Sequence, residues 1–201
     1  MPQKGICRMK TPFYIEPVAL HVLINAFFLY SFLGWIMECC VIRHEKGVWE
    51  NRGFAHLPFC VIYGFGAMIG YAVLAPISHN YVLLYIVGAL AATALEYVTA
   101  RIMLRFFGTF WWDYTNKRFN YKGILCLEST LAWGFVALFV FTFLHRAVFS
   151  IVMRLPERVG SALAFLLACA YGADFLLCVH KARRAHAEPV AQEVETVSSQ
   201  V

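Results

Sequence analysis

Hydrophobic residues in this chain fall into runs of roughly 20, the length that crosses the hydrocarbon core of a bilayer as a helix. Backbone groups in lipid must be hydrogen-bonded within their own segment, so each run is predicted to be helical. The fold class predicted is all-α, a polytopic integral membrane helix bundle of about five transmembrane helices. The predicted helices occupy residues 18–42, 58–76, 80–107, 124–145 and 159–180.

The polar segments outside these runs complete the predicted organisation. Residues 1–17 form an N-terminal segment, residues 18–180 a single transmembrane domain, and residues 181–201 a polar tail predicted to be disordered. The first apolar run is longer than the core of a signal peptide and no small-residue cleavage site follows it, so we expect it to be retained. The segment "RAVFSIVMRLPER", residues 146–158, is predicted to be a short helix lying in the membrane interface.

Composition agrees with a membrane protein. The chain is 61% hydrophobic and 14% charged, whereas a soluble domain averages about 25% charged residues. The chain has seven cysteines, which is an odd number, and their spacing does not indicate a set of disulfide pairs. Structural disulfides are therefore not expected. The net charge of +5 suits a lipid bilayer as partner, and nucleic acid is not needed to explain it.

The distribution of Lys and Arg predicts an orientation. Five spans place the two termini on opposite sides of the membrane. The side that holds the loops 43–57 and 108–123 and the C-terminal tail carries ten Lys and Arg residues, and the other side carries six. The positive-inside rule therefore places both loops and the tail in the cytoplasm.

Four acids interrupt the apolar runs: Glu38, Glu96, Glu128 and Asp174. Acids are costly inside a bilayer and usually face the interior of a bundle or water. Counting the helical rise from each predicted helix end places all four near the membrane face that carries the two long loops. This pattern predicts one polar chamber open to that face. For Glu38 and Glu128, which lie near helix ends, the alternative is that they simply reach interfacial water.

The two long loops resemble each other. "GVWENRGF" begins at Gly47 after the pair Glu38 and Arg43, and "GTFWWDYTNKRFNYKG" begins at Gly108 after the pair Glu96 and Arg101. The two helix–loop–helix units are candidates for a parallel repeat. Trp and Tyr side chains in the loops are typical of an interfacial belt. A belt does not explain their Asn, Asp and Arg residues, so we interpret the first loop as a lid or rim over the carboxylates, with Pro58 beginning the next helix.

Polar and aromatic residues at this face are the candidate site. A metal alternative uses Cys39, Cys40, His44, His56 and Cys60, but their spacing matches no familiar zinc pattern, so neither a metal nor another cofactor is predicted. The chain contains no nucleophile elbow, HExxH or P-loop motif, and no catalytic residue is assigned. The predicted substrate-binding residues are Glu38, Asn51, Arg52, Tyr63, Glu96, Tyr97, Arg101, Asp113, Tyr114 and Asn120.

Several short motifs follow one another between Tyr30 and Phe141: "SFLGWIMEC", "NRGF", "PFCVIYGFG", "LEY", "WWDY" and "FN" with a following Gly. In this set the chain resembles the putative ABC-transporter type IV family, the CmpB-like membrane proteins of bacteria. The chain departs from the family pattern at Val61, where Pro is usual, and at Leu57, where Gly is usual. The positions marked by the resemblance are Gly34, Trp35, Glu38, Asn51, Arg52, Gly53, Tyr63, Gly64, Glu96, Tyr97, Trp112, Asp113, Tyr114, Asn120 and Gly123.

The resemblance implies a permease component of the bacterial plasma membrane. Because the chain has no ATP-binding motif and few helices, a separate ATPase subunit or a homo-oligomer is the expected partner. Two alternatives stay open. One is a membrane-embedded enzyme acting on a lipid or polar headgroup, with Glu38, Glu96 or Asp113 as acid or base and Arg52 holding a phosphate or carboxylate. The other is a non-catalytic assembly subunit.

Overall fold

Helices dominate the computed structural model, which describes residues 18–198. A π-helical turn at Val140–Leu144 joins the fourth helix to the fifth, and a 3-10 turn at Ala75–Ile77 follows the second. The elements are α1 (Leu20–Lys46), α2 (Val61–Leu74), α3 (Tyr81–Phe107), β1 (Asn120–Tyr121), β2 (Leu125–Cys126), α4 (Leu127–Phe139), α5 (His145–Val152) and α6 (Glu157–Ser198).

Four helical stretches are long and apolar enough to cross a membrane. They are Leu20–His44, Tyr81–Phe107, Leu127–Val152 and Glu157–Arg184, and the apolar helix Val61–Ile77 is shorter. The predicted polytopic helix bundle is therefore confirmed. Four of the five predicted spans are long enough to cross a membrane, and the second corresponds to the shorter apolar helix. Many large apolar side chains on these helices are exposed, as the lipid-facing surface of a bundle requires.

The fourth span is longer than predicted. Residues 146–152 continue it as α5, so the separate interfacial helix predicted for residues 146–158 is wrong over this part. Packing explains the difference, because Val148 and Val152 are buried against Val22 and Ala26 of α1. These side chains are covered by protein and not by the membrane interface.

The second helix begins later than predicted, at Val61 and not at Pro58. The Phe59 N–H donates to the Leu57 carbonyl at 2.8 Å, and the Cys60 N–H donates to the Ser31 carbonyl of α1 at 3.0 Å. Because these donors are used outside a helix, residues 58–60 belong to the loop.

The last helix continues beyond residue 180, where the sequence predicts a disordered tail. It extends to Ser198. The segment is rich in Ala, Arg, Glu and Gln, which are strong helix formers, and this accounts for the difference. The predicted N-terminal segment 1–17 and the last residues, 199–201, lie outside the described residues.

Helix α1 is the centre of the bundle. It packs against α2, α5 and α6, whereas α3 packs chiefly against α4. One apolar core joins α1 to α5, and a second joins Phe28 of α1 to Ala55 and to Tyr171 of α6. At the α1–α6 contact, the Asn25 side chain donates to the Gly160 carbonyl at 2.8 Å.

Helices α1 and α3 end in the same way. Each has 27 residues and stops at a glycine in the left-handed conformation, Gly47 with φ 75° and Gly108 with φ 70°. Glycine adopts this conformation without the steric cost that a Cβ brings. Loop 1 (residues 47–60) and loop 2 (residues 108–126) thus leave the bundle at the same end, where the Arg52 Nη2 donates to the Trp111 carbonyl at 2.9 Å.

Candidate functional site

Glu38 joins α1 to α2 and to loop 1. One of its carboxylate oxygens accepts a hydrogen bond from the Tyr63 hydroxyl of α2. The other lies 3.9 Å from Arg52 Nε of loop 1. The Arg52 side chain is only 14% exposed, so its charge is held close to this carboxylate and away from bulk water.

Glu96 makes the corresponding connection in the second half of the chain. It is 6% exposed, although it lies on an apolar helix. Its Oε1 accepts from the Tyr114 hydroxyl of loop 2 at 3.0 Å, and its Oε2 accepts from Trp133 Nε1 of α4 at 3.2 Å. Burial and the nearby Glu96 carboxylate raise the pKa of the Tyr114 hydroxyl, so this phenol keeps its proton and remains a donor.

The two carboxylates belong to one group of side chains. The rings of Tyr63 and Trp133, which donate to Glu38 and Glu96 respectively, lie 5.9 Å apart between centroids. We call this group the carboxylate cluster. Its members are Glu38, Arg52, Tyr63, Glu96, Tyr114 and Trp133.

A cleft of about 640 Å³ leads from this cluster between the helices. It is lined by α1, α2, α3, α4 and the π-helical turn, and almost all of its lining is apolar. Tyr63, Glu96 and Trp133 supply polar atoms at one end, whereas Leu74, Phe141 and other apolar residues line the rest. The cleft can therefore accept a molecule that has both an apolar part and a polar group.

Asn51 stabilises loop 1 with its own side chain. Its Oδ1 accepts from Trp35 Nε1 at 2.7 Å and from the Gly53 N–H at 2.9 Å. Its Nδ2 donates to the His56 carbonyl at 3.1 Å and to the Ala55 carbonyl at 3.4 Å. The predicted substrate-binding residue thus directs its polar atoms to the protein.

Asp113 and Asn120 have the same kind of role in loop 2. Asp113 Oδ1 accepts from the Thr115 N–H at 2.9 Å and from its hydroxyl at 2.8 Å, and these hydrogen bonds lower the pKa of Asp113. Asn120 Nδ2 donates to the Thr115 and Lys117 carbonyls, and its Oδ1 accepts from the Gly123 N–H. Both side chains shape the loop and lie outside the carboxylate cluster.

Tyr97 and Arg101 lie apart from the cluster as well. The Tyr97 ring is 6.3 Å from that of Tyr121 in loop 2. Arg101 is exposed and lines a shallow groove along α3 together with Arg105. Of the ten residues predicted from the sequence, five meet in the cluster: Glu38, Arg52, Tyr63, Glu96 and Tyr114.

The remaining two membrane acids do not join Glu38 and Glu96. The Glu128 side chain is 72% exposed and lies 3.0 Å from Lys117 Nζ. Asp174 accepts from the Leu57 N–H at 2.7 Å and lies 2.8 Å from His56 Nδ1. A single chamber holding all four acids is therefore wrong.

Trp133 was not singled out from the sequence, and Trp35 was marked by resemblance without a prediction of what this side chain contacts. Trp133 donates to Glu96, and Trp35 donates to Asn51. Each lies on an apolar helix, where a buried indole N–H needs an acceptor. A tryptophan on an apolar helix therefore indicates a hydrogen bond from its indole N–H, but the sequence does not indicate which acceptor the fold supplies.

Four long apolar helices and one shorter apolar helix define a multi-pass helical membrane protein. The chain belongs to the putative ABC-transporter type IV family, whose family model matches residues 25–179. This match confirms the resemblance seen in the motifs and covers more of the chain than they do. Comparison with curated proteins and with solved structures gave no match.

Proposed function

We propose that the chain is the membrane-spanning component of a transporter, and that the carboxylate cluster binds a polar group of the transported solute. The family name supports the transport role. The site is argued from two sets of contacts: the ion pair of Glu38 with Arg52, and the hydrogen bonds that three aromatic side chains donate to Glu38 and Glu96. Acids in membrane-spanning helices are rare and are functional candidates by default, so two of them in one group of contacts favour a functional role.

The charges of the cluster favour a particular kind of solute. The cluster contains two carboxyl groups and one guanidinium, which lies beside Glu38, so a cation or a group rich in hydrogen-bond donors suits it. The apolar lining of the cleft favours a solute that also has a hydrocarbon part. We infer an amphiphilic solute with a cationic or donor-rich head.

We further propose that an ATPase subunit supplies the energy for transport. The chain itself has no ATP-binding motif. The excess of Lys and Arg on the side of the two loops supports a cytoplasmic location for the loops and for the C-terminal end of α6 in a bacterial plasma membrane. A C-terminal green fluorescent protein fusion should then fluoresce, and activity of a C-terminal alkaline phosphatase fusion would contradict this orientation.

The double variant Glu38→Gln with Arg52→Lys tests the transport role in the native host. We expect unchanged amounts of the chain in the membrane, an ATP-binding subunit that still co-purifies with it, and an altered distribution of a solute between cells and medium. The matched control is Glu128→Gln, because this carboxylate is exposed and outside the cluster.

Other outcomes contradict the proposal in distinct ways. A change confined to membrane lipids or their precursors would indicate an enzyme acting at headgroups. Loss of the double variant from the membrane, with the control unaffected, would indicate an assembly role. Purification of the chain alone or only as a homo-oligomer would exclude the ATPase partner.

A further inference from the structure

Three side chains with metal-binding atoms meet where loop 1 touches α6. Asp174 and Cys178 are four residues apart and share one face of α6. His56 Nδ1 lies 2.8 Å from Asp174 Oδ1 and 3.2 Å from Cys178 Sγ, and these last two atoms are 3.9 Å apart. The nitrogen, oxygen and sulfur atoms thus surround one small space.

Both hydrogen bonds and a bound cation can connect these three atoms. A neutral imidazole carries one proton, and His56 Nδ1 either donates it to Asp174 or accepts one from Cys178. With the proton on Nδ1, the Cys178 thiol can donate to Asp174 Oδ1 as well, at 3.9 Å between Sγ and Oδ1, so a hydrogen-bonded arrangement of the three side chains exists without a metal. A cation with vacant coordination positions accepts lone pairs from all three atoms.

Surrounding contacts hold two of the ligands in place. The Leu57 N–H donates to Asp174 Oδ2 at 2.7 Å, which orients the carboxylate and leaves Oδ1 toward His56. Asn51 Nδ2 donates to the His56 carbonyl at 3.1 Å and fixes the backbone that carries the imidazole. Contacts of this kind behind the ligands are typical of metal sites in proteins.

We propose that His56, Asp174 and Cys178 form a zinc site. Imidazole, carboxylate and thiolate are the ligand types that Zn²⁺ takes, and bonds of about 2.0–2.3 Å in a tetrahedron separate ligand atoms by roughly 3.3–3.6 Å. The observed separations of 2.8, 3.2 and 3.9 Å lie on both sides of this range, so the side chains reach tetrahedral geometry by rotating slightly when the ion binds. Three protein ligands leave a fourth position for water, and the Cys178 thiol passes its proton to solvent when Sγ binds the ion.

An ion at this position connects loop 1 to α6. His56 is four residues beyond Arg52, so the zinc site restrains the same loop that supplies the guanidinium of the carboxylate cluster. The zinc site and the carboxylate cluster have no residue in common. Metal binding and solute binding can therefore be tested separately.

Titration with Co²⁺ and Zn²⁺ tests this proposal on the full chain, purified without a histidine tag and stripped with a chelator. We expect one Zn²⁺ per chain and, with Co²⁺, a thiolate-to-metal absorption band. Cys178→Ser should abolish that band. His56→Gln, Asp174→Asn and Cys178→Ser should each weaken Zn²⁺ binding roughly tenfold or more.

Two controls keep the outcome clear. His56 has a side chain that is 74% exposed, so His56→Gln is compatible with folding even if an α6 variant is not. Cys169→Ser removes an exposed cysteine elsewhere on α6 and should leave the band and the affinity unchanged. A band that survives in Cys178→Ser, or equal Zn²⁺ affinity in His56→Gln and the unmodified chain, would overturn the proposal.

Discussion

Gly34 shows how one residue positions the carboxylate cluster. It lies one turn before Glu38 on α1, beneath the ring of Tyr63. A Cβ at this position would lie 2.2 Å from Tyr63 Cγ, far inside van der Waals contact. The absence of a side chain therefore lets the Tyr63 ring lie against α1 and its hydroxyl reach Glu38.

Gly34→Ala is expected to destabilise the protein, although Ala is the better helix former. The added methyl must displace the Tyr63 ring, and overpacking of this kind typically costs about 1–3 kcal/mol. Thermal unfolding of the detergent-purified chain should show a lower midpoint. Gly172→Ala is the control, because a Cβ there meets no atom within 4 Å. Equal midpoints for the two variants would show that Tyr63 does not depend on Gly34.

Single residues also mark a limit of sequence reasoning. Asn51, Asp113 and Asn120 are polar residues in aromatic loops, which makes them candidates for ligand contact. In the structure, the polar atoms of these side chains form hydrogen bonds with neighbouring backbone groups. Asn and Asp side chains commonly form such turns, and composition alone does not distinguish a turn from a binding site.

Among the elements, loop 2 is a small folded unit. Strands β1 and β2 pair antiparallel, with Asn120 opposite Cys126. Lys122 and Gly123 between them have positive φ values, and the Gly123 carbonyl accepts from the Tyr114 N–H at 2.9 Å. This arrangement carries the Tyr114 hydroxyl to Glu96.

Acid should weaken loop 2 through Asp113. Hydrogen bonds from Thr115 hold the pKa of Asp113 below its ordinary value of about 3.9. The contribution of Asp113 to the free energy of unfolding is therefore fully present above that value, and it is lost as the pH falls through the lower, native pKa. An NMR titration of the Asp113 carboxyl should give this lowered pKa, and Thr115→Val should raise it. A pKa at or above about 3.9 in the unmodified chain would contradict the assignment.

Helices were more predictable than their ends. Long apolar runs identify α1 and α3 because a bilayer sets their length and Gly47 and Gly108 stop them. The start of α2 depends on a bond from Cys60 to α1, and the extension of the fourth span depends on burial of Val148 against α1. Both are tertiary contacts, which a local pattern does not contain.

For the whole molecule, residue counting located the end of the bundle at which the membrane acids lie, beside the two loops, but not the direction in which each acid points. The helical rise gives depth from residue counting, but each residue also turns the helix by about 100°. The sequence therefore does not fix which acids face one another. The fold joins Glu38 to Glu96 through Tyr63 and Trp133, and it turns Glu128 outward.

In the proposed function, Glu38, Arg52 and Glu96 together bind one solute inside the bundle. Mass spectrometry of small molecules released from the chain after purification from native membranes tests it most directly. We predict a solute that falls roughly tenfold or more in the Glu38→Gln, Arg52→Lys variant, since a hydrogen bond to a charged group contributes about 1.5–3 kcal/mol. Glu128→Gln should retain it. Equal solute content in all three proteins would show that Glu38 and Arg52 do not bind it.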